Sequence, residues 1–141
     1  MTLRPGIHAL TPDDCLQLLK TVPVGRVGVT IDALPVVLPL NFVVNDETIV
    51  FPTVPGTKLD AATAGMVVAL EADNYGTSTE PWGWSVLVRG VAEEITDPTE
   101  LRSVRSLPLA SWAFDGSADR YMKIQPTIVS GRRIIPTDGI T

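Results

Sequence analysis

Residues 24–53 allow few folds. Residues 24–31, 34–44 and 47–53 are three β-branched, apolar runs, and only Asp32-Ala33 and Asn45-Asp46 separate them. Links this short cannot carry a crossover, which takes a dozen or more residues, so neighbouring runs must fold back on each other as an antiparallel meander. Pro39 inside the second run predicts a sheet edge, a bulge or a place where a ligand approaches the backbone.

The rest of the chain extends this pattern. Residues 66–72 read as a fourth strand, 84–96 as a long fifth, and 121–134 as a last one bent at Gly131. Thr11-Pro12-Asp13-Asp14 is a helix start: a capping hydroxyl, a proline at the first helical position and two acids at the positive end of the dipole. That helix should stop before Pro23. Residues 57–64 have helical spacing, and Asp97-Pro98-Thr99-Glu100 opens another helix running to Leu107. The expected fold is α+β and mainly β: a six-stranded antiparallel β-barrel with short flanking helices, in a single domain over residues 1–141.

Composition narrows the function. At 45% hydrophobic and 19% charged residues, with mean hydropathy +0.23, the chain has more apolar side chains than one small core needs, which predicts a homodimer. The net charge of −5 provides no basic stripe for nucleic acid. No apolar run approaches a membrane span, and the N-terminus lacks the apolar segment of a signal peptide, so a cytoplasmic protein is expected. One cysteine and one histidine are too few for a structural zinc site. His8, read as part of a loose N-terminal arm, has no partners for a catalytic triad. Cys15 reads as a small buried hydrophobe. Glu93 and Glu94 are strand neighbours on opposite faces and cannot act as a carboxylate pair.

The stretch FPTVPGTKLD offers more. A turn that opens a short helix presents unpaired N–H groups. Thr53 and Thr57 supply hydroxyls and Lys58 a charge, which is chemistry suited to a phosphate. The alternative is an ordinary turn with a solvated lysine. Trp82 and Trp84 flank Gly83 and could wall a ligand pocket or pack a dimer interface. Trp112, in the late loop, is a candidate lid or packing residue. Arg26 reads as an ion-pair partner of an acid or of a second chain.

Taken in order, VGRVGVT, LPVVLPLNFVV, IVFPTVPGTKLDAA, VVALEAD, WSVLVRGVAEEI and IVSGRRI resemble the pyridoxamine 5′-phosphate oxidase-like, FMN-binding split-barrel family over residues 11–134. The likeness is to its small flavin-nucleotide-binding members common in actinobacteria. The resemblance implies that Leu38, Pro39, Leu40 and Asn41 lie along the flavin ring and ribityl chain. It implies that Thr53 contacts the flavin, that Thr57 and Lys58 hold the 5′-phosphate, and that Ser85 reaches the flavin from the partner subunit. Asn41 would donate to the ring or, alternatively, pair with backbone at a bulge. Trp84 and Trp112 are candidate substrate or flavin walls. Pro52 stands where relatives often carry arginine, so one phosphate ligand is missing unless Arg132 or Arg133 compensates. The basic and aromatic C-terminal signature of the pyridoxamine phosphate oxidases themselves is absent, and pyridoxal phosphate synthesis is not expected.

The implied function is an FMN-binding homodimer that passes hydride to or from a small substrate, the flavin carrying the redox chemistry. Two alternatives stand beside it: an oxidoreductase using the deazaflavin F420, whose anionic tail suits this acidic chain less well, and a non-catalytic flavin carrier, sensor or cofactor-less structural dimer. No metal is expected.

Overall fold

A computed structural model of the chain describes residues 6–76, 82–109 and 120–135. In chain order the elements are β1 (Gly6–Ala9), α1 (Pro12–Leu19), β2 (Val24–Ile31), β3 (Leu34–Asn41), β4 (Val43–Asn45) and β5 (Thr48–Thr53). There follow α2 (Lys58–Thr63), β6 (Val67–Gly76), β7 (Trp82–Glu94), α3 (Pro98–Arg105) and β8 (Arg120–Ile135). All the strands pair antiparallel in one curled sheet of order β3-β2-β6-β7-β8-β5-β4, with β1 added to β8. This is the mainly-β split-barrel architecture read from the sequence, with eight strands in place of six.

The two additional strands have physical causes. β8 is 16 residues long, and β5 pairs only with its first part, Arg120 to Ile124. The free backbone groups at Arg132–Ile135 are taken up by β1, so the N-terminal arm is a strand and His8 lies opposite Arg133. The expected run 34–44 is split at Phe42, whose buried ring turns inward and whose N–H donates to the Pro23 carbonyl at 3.2 Å. The residues before Phe42 form β3 and pair with β2. Those after it form β4 and pair with β5. The three runs therefore make two hairpins at opposite ends of the sheet instead of one meander, and the chain crosses the split of the barrel at Phe42. β3 has β2 as its one neighbour, which gives Pro35 and Pro39 the edge position that a strand proline requires.

Local chemistry fixes the helices. The Thr11 and Asp97 side chains accept from the amides of Asp14 and Glu100 at 3.2 and 2.9 Å. Lys123 on β8 pairs with Glu100 at 2.9 Å and fastens α3 to the sheet. The main core lies inside the curl, among Val27, Leu70, Val88, Phe51, Met122 and Ile124, with Cys15 and Leu19 of α1 closing one end. Val50, Ile95 and Val104 form a smaller cluster under α3.

The bend expected at Gly131 lies elsewhere. Register runs unbroken through the Val86–Gly131 pair and shifts between Arg89 and Gly90, where β8 carries Thr127 as an extra residue. Gly131 is needed for closeness instead, because a Cβ there would stand 2.6 Å from Cys15 Sγ. The glycine lets α1 settle on β8.

Candidate functional site

The turn between β5 and α2 is built around a carboxylate. Thr57 caps α2: its hydroxyl accepts from the Asp60 amide at 3.2 Å and donates to the Val54 carbonyl at 2.8 Å. Asp60 sits three residues past the cap and is buried. It accepts from the Thr53 hydroxyl at 2.9 Å, from the Gly56 amide at 3.3 Å and from Arg120 of β8 at 2.7 Å. Arg120 also lies 3.6 Å from Glu94. The hydroxyls of Thr53 and Thr57, expected as donors to a ligand, are thus both engaged within the turn, and Thr53 is fully buried. Sequence reading missed Asp60, Arg120 and Glu94. The Thr57-x-x-Asp60 spacing of a capping box was a usable signal for the first, but nothing local pointed to Arg120.

Lys58, the first residue of α2, is exposed and makes no ion pair with any described residue. It lines a cavity of about 240 Å³ with Ala61 and Ala62 of its own helix and with Thr30, Ile31 and Asp32 at the tip of the β2–β3 hairpin. The amides of Lys58 and Leu59, in the first turn, have no intrahelical acceptor within reach. This corner therefore offers one ammonium and free backbone donors to an anion, with the Asp32 carboxylate on the opposing wall.

The remaining expected residues fall in three other places. On β3, Leu38 and Leu40 pack on the core while Pro39 is exposed. Asn41 is buried, and its amide donates to the Pro23 carbonyl at 3.3 Å, the backbone pairing named above as the alternative. Pro52 is buried opposite Tyr121. Ser85 and Trp84 are consecutive on β7 and so face opposite ways. Ser85 lines a cavity of about 520 Å³ with Leu87, Ala9, Ser130 and Arg132. Trp84 lines one of about 290 Å³ with Trp82, Arg133 and residues of α1. Arg132 and Arg133 thus lie in different cavities, and neither lines the one that holds Lys58. Trp112 lies outside the described residues.

Arg26 projects from the outer face of β2 and pairs with Glu71 and Asp73 of β6 at 3.0 and 3.4 Å, which is the ion-pair role expected of it. Its pKa is raised, chiefly by the Asp73 charge and then by Glu71. Glu71 is itself held above the usual carboxylate range, because burial on the sheet and the adjacent Asp73 outweigh Arg26. Burial, with Asp14 close by, pushes the Cys15 thiol up as well, which makes it a packing residue. Among the described residues no three His, Cys, Asp or Glu side chains gather to hold a metal ion, and no helix is long and apolar enough to cross a membrane.

Residues 11–133 match the family model described as pyridoxamine 5′-phosphate oxidase. An uncharacterised protein of Mycobacterium tuberculosis is 37% identical over 131 residues, covering 89% of this chain and 84% of that protein. Among solved structures, the FAD binding protein from Mycobacterium smegmatis is 35% identical with a TM-score of 0.77, over 90% of this chain and 98% of that one. An FAD-binding protein from Mesorhizobium loti, 24% identical, shares the fold with a TM-score of 0.72 over 90% and 97% of the two chains.

Proposed function

Because the chain belongs to the pyridoxamine 5′-phosphate oxidase family, we propose that it binds FMN at the interface of a homodimer and works as an oxidoreductase on a small molecule. The observation that carries this reading is the corner at Lys58. An unpaired ammonium stands beside the free amides of a helix start, in a cavity, where a terminal phosphate would be held. Lys58 fits the 5′-phosphate role, with the Lys58 and Leu59 amides in place of the hydroxyls that Asp60 and Val54 engage. The Asp60–Arg120 pair holds the turn in shape. The exposed edge of β3 at Pro39 leaves room for a flat ring against backbone. When bound, the flavin supplies the hydride chemistry.

The dimer is supported by the outer sheet face. Val37, Val67, Val91 and Ile128 are 68%, 72%, 37% and 47% exposed. Register places them on neighbouring strands around Gly28, Ala69 and the exposed Arg89, which stands between Ala69 and Ile128. A largely apolar patch of this kind marks a protein contact, and Ser85 lies on the same face of β7 as Val91. The M. smegmatis protein, described as binding FAD, supports a flavin in general and makes FAD the competing cofactor. F420 remains the third choice because its anionic tail meets a chain of net charge −5.

The test is equilibrium binding of FMN, FAD and F420 to the purified protein, with sedimentation to give its mass. FMN should bind most tightly, to a dimer. Lys58→Ala should weaken FMN about tenfold or more, corresponding to a charge-assisted hydrogen bond of about 1.5–3 kcal/mol. A protein that stays colourless with micromolar FMN, or a Lys58→Ala variant with unchanged affinity, would overturn the reading.

A further inference from the structure

The cavity walled by the two tryptophans lies on the face of β7 opposite Ser85. It shares only Leu10 with the Ser85 cavity and no residue with the Lys58 cavity. We propose that it is a second small-molecule site, separate from the flavin site, that takes a flat aromatic monoanion.

The walls determine the class of ligand. Trp82 and Trp84 stand two apart on β7 and therefore face the same way, with Leu10 and Leu18 beside them lining an apolar slot. Its volume of about 290 Å³ is at the small end for ligand pockets, enough for a one- or two-ring compound. Trp82 is 43% exposed, an unusual amount of indole to leave in water unless it meets a partner. Its pose is built in: a Cβ at Gly76 would overlap the indole, so the glycine opposite Trp82 on β6 makes the room it occupies.

Charge sets the rest. Arg133 lines the slot, and its guanidinium makes no ion pair with any described residue. It is free to pair with a carboxylate while the ring lies against indole, as guanidinium and indole together favour. Asp14 and Gln17 of α1 line the same cavity. Asp14 repels a second negative charge on the ligand, and the Asp14 and Gln17 side-chain oxygens can accept a hydrogen bond donated by a ligand hydroxyl. A hydroxylated aromatic carboxylate matches all of these groups, whereas a dicarboxylate or a phosphate does not.

The probe is 4-hydroxybenzoate, titrated into the full-length protein while the indole N–H resonances are followed by NMR, with Trp82→Phe used for assignment. Both Trp82 and Trp84 should shift with one saturating curve. The neutral 4-hydroxybenzamide and the dianion isophthalate should bind at least fivefold more weakly. Arg133→Gln, an exposed strand position whose fold is checked by the dispersion of the same spectra, should weaken 4-hydroxybenzoate about tenfold and leave FMN affinity unchanged. Lys58→Ala should leave 4-hydroxybenzoate binding unchanged. The proposal is overturned if millimolar 4-hydroxybenzoate moves neither indole, or if Arg133→Gln does not weaken it. Competition by FMN for the same curve, or closure of the slot by a second copy of the chain in the dimer, would overturn it equally.

Discussion

Removing the Asp60 carboxylate measures how much of the β5–α2 corner depends on one buried charge. In Asp60→Ala, Arg120 loses its 2.7 Å partner. The guanidinium is about one-third exposed and retains Glu94 at 3.6 Å, so the loss falls at the low end for a charged hydrogen bond, about 1.5 kcal/mol. The Thr53 hydroxyl is left fully buried without its acceptor, which costs about 1–2 kcal/mol more. The Gly56 amide, at an exposed tip, can turn to water and adds little. The sum is about 3 kcal/mol, read as the shift of a urea unfolding curve at pH 7 with unchanged slope. Asp60→Asn keeps an acceptor for Thr53 but not the charge, and should cost about half as much. Thr53→Val removes the hydroxyl with its shape preserved, so Asp60→Ala made on that background should cost about 1–2 kcal/mol less than on the wild type. An Asp60→Ala cost below about 1 kcal/mol, or strict additivity in the double mutant, would refute the assignment of Asp60 as the centre of the corner.

Three further outcomes are expected. Ala33 holds φ +65° in the two-residue turn between β2 and β3, where a side chain is strained, so Ala33→Gly should raise stability by about 0.5–1 kcal/mol in the same urea assay. Asp32 shares the cavity of Lys58, and Asp32→Asn should tighten FMN binding about threefold by removing a repelling charge. Glu71 has a folded pKa raised above its ordinary 4.5. Its contribution to stability is therefore full below that value and is lost as pH rises through the raised one. Urea midpoints between about pH 4 and 7 should show this decline in the wild type and not in Glu71→Gln, and carboxyl NMR of Arg26→Ala should place the Glu71 midpoint higher still.

Much of this architecture could be read from short-range signals. Thr11-Pro12-Asp13-Asp14 and Asp97-Pro98-Thr99-Glu100 opened helices where their capping chemistry placed them, because a cap and a dipole act within one turn. The Asp32-Ala33 turn joined its strands because two residues leave no other geometry. What was misplaced depended on distant partners. β1 exists because β8 outruns β5 by enough residues to leave free backbone, and neither length shows in the N-terminal sequence. Phe42 breaks a continuous apolar run because its ring is needed in a core assembled from elsewhere. At the site, Lys58 and its helix start were legible, and so was the Thr57-x-x-Asp60 spacing that engages the threonines locally, but the charge that Asp60 pairs with was not, since Arg120 lies 60 residues away.

The sequence by itself determined that this is an antiparallel, mainly β chain, and it marked the β5–α2 turn as a candidate site for an anion. Those properties come from strand spacing, turn length and helix-start chemistry, all of which operate over a few residues. The tertiary structure decided which donors at that turn are free and that Trp84 and Ser85 serve different cavities. It also decided where Arg132 and Arg133 lie. These outcomes follow from how a single curled sheet brings remote residues together, and only the closed sheet specifies those distances.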